Sequence, residues 1–323
     1  MATALRSSRA GAGTRDSQLA RLFQREVAPH LPSLEAERAQ GRARFIATAI
    51  GFAVGIPILL GLLWPLEPGW AVLATVIALV IGLHMLGNQQ RRFRQRVRDL
   101  VMPAICEAVG DLRHSAGSAP GIPFDDLESL GLLPRHNRRQ VDDVFEGRHR
   151  DTDFVMAEAR LRYRSGGRKS RTRTVFRGLI FAIEVPRDVP ARILVARESG
   201  AIGNRLKGWI NGFSGLERVS LPHPAFEARF EVYSDDPTVA RDTVGPAFCD
   251  AMVALAEAHI GQAIQGAFRL RWFYLTIPSK RRDQFRLGSL FRTLEGLEED
   301  AHRVLQDVRI VHRVIDTLHG DRP

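Results

Sequence analysis

The longest apolar stretch of this chain, residues 45–90, constrains its fold more than any other feature. No charged side chain occurs in residues 45–66 or 68–90, and Glu67 alone separates the two halves. Each half holds about 20 mostly apolar residues, a helical length that matches the roughly 30 Å hydrocarbon thickness of a bilayer. The sequence therefore predicts a transmembrane hairpin of two helices over residues 45–90.

The joint between the two halves supports a hairpin. It reads Pro65-Leu66-Glu67-Pro68-Gly69, and its prolines and glycine suit a turn better than a helix interior. Trp64 and Trp70 flank the joint, where amphipathic rings favour the headgroup level. The alternative is a pair of buried helices in a soluble core, and the length of both runs argues against it.

Basic residues on the outer sides of the hairpin set its predicted orientation. The tip has no Lys or Arg, whereas arginines precede the first half and follow the second. Because positive flanks stay in the cytoplasm, we expect two spans with both termini cytoplasmic. The flanking arginines are Arg38, Arg42 and Arg44 before the hairpin, and Arg91, Arg92, Arg94, Arg96 and Arg98 after it.

The rest of the chain divides into segments before and after this hairpin. The whole chain has a formal net charge of +10. The predicted segments are a disordered tail (1–15), cytoplasmic N-terminal helices (16–44), a juxtamembrane helix (91–116), a cytoplasmic α+β domain (117–286) and a C-terminal amphipathic helix (287–323). In the second of these segments, Pro29 and Pro32 are expected to interrupt the helix.

Residues 117–286 show the alternation and turn residues of a sheet. Phe154–Tyr163 alternates with period two, which indicates a strand. Further strands are predicted at 172–185, 191–196, 217–221, 225–233 and 263–277, with one helix at 237–258 whose inner face includes Ile260. Short strands with one packed helix favour a mostly antiparallel sheet, and the predicted fold class is α+β.

Apolar residues recur three and four apart over the last segment, which predicts one long helix. They are Leu287, Leu290, Leu294, Leu297, Ala301, Val304, Val308, Val311, Ile315 and Leu318. Such spacing is typical of a coiled coil, in which case the chain forms a homo-oligomer through this helix. A helix that packs within its own chain has the same pattern, and both interpretations remain open.

Patterns for a cofactor, a metal or a catalytic site are absent or incomplete. Gly203–Gly208 has the glycine spacing of a phosphate-binding loop, but Trp209 and Ile210 stand where its Lys and Ser/Thr belong. His302 and His312 lie ten residues apart on the last helix and point away from a common face. The sequence thus predicts no cofactor, no metal and no catalytic residue.

The two cysteines are predicted to be buried free thiols. Cys106 and Cys249 both lie in apolar helical contexts. Asp250 follows Cys249, but neighbours on a helix point about 100° apart. The structural role is therefore favoured over a nucleophile.

Two basic runs are the candidate contact residues. The juxtamembrane run, Arg91, Arg92, Arg94, Arg96 and Arg98, can attract anionic lipid headgroups. The second run surrounds a Gly166-Gly167 hairpin tip and comprises Arg160, Arg162, Arg164, Arg168, Lys169, Arg171 and Arg173. Since only Tyr163 interleaves it, phosphate or lipid contact is favoured over nucleic-acid base stacking. A solvated basic hairpin without a ligand is the remaining alternative.

The order of several short motifs resembles the bacterial membrane protein family known as domain of unknown function 3137. The similar segments are Pro29-His30-Leu31-Pro32 to Glu35-Ala36-Glu37-Arg38, the hairpin, Gly131-Leu132-Leu133-Pro134, Asp142 to Gly147, Val175-Phe176-Arg177-Gly178-Leu179, Pro224 to Asp236 and Leu270 to Ile277. The resemblance implies a bacterial inner-membrane protein and supplies no catalytic residue.

The leading hypothesis is a membrane-anchored module without catalysis that binds a partner protein or the membrane surface. The first alternative is a membrane-bound hydrolase or modifying enzyme, with a dispersed site that includes His223, Glu227 or Asp250. The second alternative is binding of nucleic acid or anionic lipid through the basic hairpin.

Overall fold

The computed structural model describes residues 16–65, 67–167, 170–197, 215–280 and 284–320. The predicted tail (1–15), the phosphate-loop spacing at Gly203–Gly208, and the candidate residues Arg168 and Lys169 lie outside this part. The chain divides into two compact units. Among the described residues, a helical unit holds 16–108 together with Arg286–Arg303, and a sheet unit holds Val109–Phe285 and 304–320.

Two long helices dominate the helical unit. Helix α1 (Leu31–Leu63) has 33 residues and α2 (Pro68–Val109) has 42. At 1.5 Å per residue both exceed the roughly 30 Å of a hydrocarbon core. Each contains a segment long and apolar enough to cross a membrane, which agrees with the predicted hairpin.

The apolar side chains of this hairpin are exposed. In the apolar window of the first helix 0% of residues are buried, and in that of the second only 11%. Ile58, Leu62, Trp70 and Leu83 are each more than 60% exposed. Helices of a soluble core would bury these side chains, so the arrangement is compatible with a two-span membrane protein.

Two helix boundaries differ from the predicted ones. Pro29 and Pro32 do not break the N-terminal helix, because the chain passes them through a π turn (Phe23–Val27) and a 3-10 turn (Ala28–His30) that adjust the hydrogen-bonding pattern. The predicted juxtamembrane helix over 91–116 ends at Val109 instead. Gly110 has a φ of +76°, which ends the helix, and Leu112–Ala116 forms a strand.

The sheet unit is an antiparallel sheet with packed helices, which confirms the α+β fold class. The sheet has seven strands within the described residues: β1 (Leu112–Ala116), β2 (Arg138–His149), β3 (Thr152–Arg164), β4 (Thr172–Arg197), β5 (Glu217–Val219), β6 (Phe230–Ser234) and β7 (Gln265–Pro278). The helices before β7 are α3 (Phe124–Ser129), α4 (Pro224–Glu227), α5 (Pro237–Thr243) and α6 (Pro246–Ala258).

Strand β4 organises the sheet because three other strands pair with it. Its 26 residues carry β3 along the first part of one edge and β6 along the second part. Strand β7 pairs along the opposite edge, since Ile183 is opposite both Phe154 of β3 and Phe273 of β7. The strand order is β1-β2-β3-β4-β6-β5, with β7 on β4.

Both faces of the central strands are buried. On β3, Ala157, Ala159 and Leu161 join a core cluster on one face. Phe154 and Met156 are buried on the other face. This second burial explains why β3 is less alternating than a strand with one solvated face.

Several predicted elements differ from the observed ones. The strands predicted at 172–185 and 191–196 are the single strand β4, which bends at an irregularity between Glu184 and Val189. The predicted strand at 225–233 begins as helix α4, and the predicted helix at 237–258 is divided by Gly245-Pro246 into α5 and α6. Ile260 is 84% exposed instead of buried. Strands β1 and β2 were not predicted.

The C-terminal helix is shorter than predicted. It begins with a 3-10 turn (Leu294–Gly296) and continues as α7 (Leu297–Leu318), so Leu287 and Leu290 precede it. The apolar stripe from Leu287 to Ile315 is nevertheless buried within the single chain. Homo-oligomer formation through this helix stays a prediction.

Candidate functional site

Five arginines gather where β2 begins and where β3 and β4 join. We call this surface the arginine end: Arg138, Arg162, Arg164, Arg171 and Arg173. Strand register brings them to one end of the sheet, on both of its faces: Arg138 lies opposite Arg162, whereas Arg173 lies opposite Tyr163 and so projects from the other face. Opposed residues of an antiparallel pair have Cα atoms about 5 Å apart. The sheet thus concentrates charge that the sequence spreads over 36 positions.

Hydrogen bonds fix the backbone of the arginine end. The side-chain amide of Asn137 donates to the Arg164 carbonyl and accepts from the Arg164 N–H, both at 2.8 Å. Across the hairpin, the Ser165 N–H donates to the Arg171 carbonyl at 3.1 Å. The arginines are therefore presented by a held hairpin.

The arginine end has neutral hydrogen-bond partners instead of carboxylates. The Arg162 guanidinium donates to Oε1 of Gln140 at 2.8 Å, and that of Arg164 donates to Oγ of Ser170 at 3.0 Å. Among the described residues, none of the five arginines forms an ion pair. Their positive charge is therefore not neutralised within the described part of the chain.

Arginines elsewhere in the same unit behave differently. Three of them form ion pairs in which a guanidinium nitrogen lies within 2.9 Å of a carboxylate oxygen. The pairs are Arg148 with Asp153, Arg192 with Asp235 and Arg229 with Glu257. Like charges directly opposite each other on neighbouring strands are destabilising, so the opposition of Arg138 and Arg162 costs stability. An arrangement with this cost is suited to an anionic ligand.

The remaining candidate arginines differ in exposure and in their partners. Arg160 is half-buried and has an interaction partner in the chain. In the juxtamembrane run, Arg91 and Arg92 are exposed, and Arg96 forms an ion pair with Glu37 at 3.0 Å. Arg94 and Arg98 are half-buried and also have partners. Burial and partners, which the sequence could not show, separate these arginines from one another.

A cavity of about 790 Å³ lies between α3 and the sheet. Leu132, Leu133, Val175 and Phe176 are among the residues that line it. The carboxylates on its border are ion-paired: Asp125 with Arg139, and Glu128 with His136 at 2.9 Å. The sequence did not predict this cavity, although Gly131 to Pro134 and Val175-Phe176 belong to motifs of the family resemblance.

The residues of the enzyme hypothesis have structural hydrogen bonds. His223 Nε2 lies 3.0 Å from Oδ1 of Asp250, while His223 Nδ1 accepts the Phe226 N–H as the N-cap of α4. Glu227 accepts the Leu221 N–H at 3.1 Å. Burial, with Asp250 and Glu227 nearby, raises the pKa of the Cys249 thiol to about 12. Both cysteines are free thiols, as predicted, and Cys249 is buried, whereas Cys106 is half-buried instead of buried. The high pKa of Cys249 makes it a poor nucleophile.

A histidine cluster joins α7 to the β2–β3 hairpin and was missed by the sequence analysis. The rings of His149 and His312 stack at 4.1 Å, and His149 Nε2 lies 2.8 Å from Oδ1 of Asp316. Thr152 and His319 lie 2.7 Å apart through Oγ1 and Nε2. Within the described residues no group of three or more such side chains is arranged for a metal ion. The stacked rings and these two hydrogen bonds hold α7 against the sheet.

Replacing Asp316 by asparagine tests this contact through its pH dependence. Burial alone would raise the pKa of the Asp316 carboxyl, but the His149 hydrogen bond and the charges of His149, Arg150 and His312 hold it below its ordinary value of 3.8. A lowered carboxyl pKa stabilises the fold above pH 4 and loses that effect as the pH falls through it. We expect D316N to unfold more easily by about 1 kcal/mol at pH 7, and the difference to shrink near pH 3.

Urea denaturation at both pH values measures the effect, with D188N at an exposed carboxylate as the control. An equal loss at pH 3 and pH 7 would show that the Asp316 charge is irrelevant.

A family model matches much of the sheet unit and α7. Residues 174–319 match the model of the family described as "Protein of unknown function (DUF3137)", which confirms the resemblance to that family. None of the proteins with curated descriptions matches the chain. Among solved structures, the chain is similar to the mycobacterial trehalose monomycolate transport factor A, TtfA, with 10% identity and a TM-score of 0.29, covering 62% of this chain and 88% of that one.

Proposed function

From the premise that residues 174–319 carry this domain of unknown function, we propose that the protein is a membrane-anchored binding module. The α1–α2 hairpin holds it in the bacterial inner membrane with both termini in the cytoplasm. The arginine end of its sheet unit binds the headgroups of anionic phospholipids. The observation that carries this proposal is the set of five arginines that form no ion pair within the described residues.

Phosphate-bearing lipid fits the arginine end better than nucleic acid. Guanidinium groups match phosphate oxygens in a bidentate geometry. Nucleic acid that is bound as a single strand also needs aromatic side chains on which bases stack, and Tyr163 is the one aromatic residue that alternates with these arginines on β3. A chain anchored in a bilayer also meets lipid headgroups at high local concentration.

The flanks of the hairpin support the same location. Arg91 and Arg92 are exposed directly after the apolar segment, where each can gain about 1 kcal/mol near an anionic leaflet. Arg42 and Arg44 are exposed directly before it. Positive flanks on the two outer ends and none at the tip favour cytoplasmic termini.

Vesicle capture tests the proposal. The full chain is placed in nanodiscs of phosphatidylcholine and mixed with vesicles of phosphatidylcholine, alone or with an equal part of phosphatidylglycerol. Anionic headgroups are supplied on separate vesicles so that their binding is measured as capture. We expect capture by the anionic vesicles only, weakening as salt is added. Equal capture by both kinds of vesicle, or by neither, would contradict the proposal.

A further inference from the structure

The chain before the C-terminal helix carries an exposed aromatic side chain beside the hairpin. Phe291 is 51% exposed although it is large and apolar. Its ring packs edge-on against that of Phe45 with centroids 4.9 Å apart. Phe45 is the first residue of the uncharged stretch. Phe291 therefore extends the apolar surface of the hairpin at the end where that surface begins.

Specific contacts hold this segment to α1. The Arg38 guanidinium donates to the Leu290 carbonyl at 3.1 Å. The Leu290 side chain lies over Gly41, where an added Cβ would come within 2.7 Å of it. Leu290 therefore packs closely against α1 at Gly41, so the segment is fitted to the helix.

A second glycine fits the same segment to α2. Gly288 has a φ of +68°, and a Cβ there would lie 2.9 Å from the Val97 side chain. Leu287 and Leu290 are buried on either side of Gly288, whereas Phe291 and Arg292 are exposed. The segment therefore buries two leucines in the helical unit and turns its aromatic residue outward.

The surroundings of Phe291 have the composition of a membrane interface. Apolar residues of α1 such as Ile46 and Ile50 are exposed on the C-terminal side of Phe45. Exposed arginines lie on its N-terminal side and directly after the apolar segment of α2, namely Arg42, Arg44, Arg91 and Arg92. An aromatic side chain between an apolar band and a basic collar occupies the level where hydrocarbon meets headgroups.

We propose that Arg286–Arg292 is a third membrane contact of this protein, in which Phe291 inserts at the boundary between hydrocarbon and headgroups of the cytoplasmic leaflet. This inference rests on the proposed membrane anchor. Its ligand is the bilayer itself: acyl chains around the Phe291 ring and lipid phosphates around the neighbouring arginines. The contact ties the segment that leads into α7 to the lipid surface.

Depth-dependent fluorescence quenching of the full chain in nanodiscs tests this inference. A single environment-sensitive thiol label is placed by F291C, and quenchers are lipids that carry a spin label near the headgroup or deep in the acyl chain. Native thiols interfere little, because burial raises the pKa of Cys106 to about 11 and that of Cys249 to about 12. The label at position 291 lies beside Phe45, and Phe45 is nine helical residues, or about 14 Å, from Val54 at the middle of the span. We therefore expect the shallow quencher to reduce the fluorescence at least about twice as strongly as the deep one.

Labels at two further positions show whether a negative result concerns the Phe291 contact alone or the membrane anchor as well. V54C labels the middle of the first span and should respond most to the deep quencher. R21C labels the chain before α1, 24 residues before Phe45, and should respond to neither. If V54C is quenched and F291C behaves like R21C, the interfacial contact is wrong and the anchor stands. If V54C is not quenched, both proposals are wrong.

Discussion

Replacing Arg162, Arg164 and Arg173 together by glutamine is expected to weaken capture of anionic vesicles about 100-fold. Each arginine near an anionic leaflet gains about 1 kcal/mol, and three such losses correspond to about two orders of magnitude in affinity. None of the three forms an ion pair within the described residues. The substitution therefore removes charge without leaving a buried carboxylate unpaired.

The control for this variant changes the same charge elsewhere. Arg148, Arg192 and Arg229 are replaced together by glutamine; all three are ion-paired arginines of the sheet unit. We expect vesicle capture within about threefold of wild type for this control, because their charge is already neutralised locally. Equal losses in the two variants would mean that net charge, not the arginine end, drives binding.

Folding of the arginine-end variant should not be impaired. Arg162 lies opposite Arg138, and glutamine removes that like-charge opposition. We expect the urea midpoint of the variant to equal or slightly exceed that of wild type. A large decrease would attribute any loss of capture to unfolding.

Replacing Gly178 by alanine is expected to destabilise the sheet unit by roughly 3 to 5 kcal/mol. Gly178 has a φ of +153°, and its added Cβ would lie 2.1 Å from the Ile277 carbonyl oxygen and 2.8 Å from the Pro278 Cα. Both neighbours are backbone atoms of β7, which pairs with Gly178 directly. Backbone strain and overpacking each cost about 1 to 3 kcal/mol, and their sum is a large part of the roughly 5 to 15 kcal/mol by which a typical domain is stable.

Near-UV circular dichroism during urea denaturation measures this loss. The matched control is G166A, because a Cβ at Gly166 has no neighbour within 4 Å. We expect its midpoint to stay within about 0.5 kcal/mol of wild type. If G178A is as stable as G166A, β7 does not approach β4 as closely as described.

The features that were predictable from the sequence depend on local composition and on the spacing of apolar residues. Two uncharged runs of about 20 residues are sufficient to predict the hairpin, because few soluble folds tolerate them. The strand over Phe154–Tyr163 was predictable from its alternation, although the buried Met156 shows that its second face is covered too. Fold class followed from these short-range patterns.

The features that the sequence did not reveal depend on long-range pairing. Strand β2 lacks a clean alternation, because its register shifts between Val141 and Val144. Residues 172–185 and 191–196 form one continuous strand, β4, because β7 pairs with it on both sides of its bend, and β7 begins more than 70 residues after that bend in sequence. The local pattern of apolar and polar residues in a strand does not show which distant strand pairs with it.

The candidate site shows the same division. The basic run was visible in the sequence, but which arginines are available was not. Arg160 is half-buried with a partner, whereas its neighbour two residues on, Arg162, has a neutral amide as partner. Arg138, 24 residues away, joins the site only through strand pairing. The spacing of charged residues predicts a basic surface, and tertiary structure selects its members.

Hydrogen–deuterium exchange of the nanodisc-embedded chain, with and without anionic vesicles, tests the central claim most directly. If the arginine end binds lipid headgroups, the vesicles slow exchange in peptides that contain Arg162, Arg164 and Arg173. Peptides around Arg192 and Arg229, whose arginines are ion-paired, should exchange at unchanged rates. Unchanged exchange at the arginine end, or protection only around the ion-paired arginines, would contradict the proposed function.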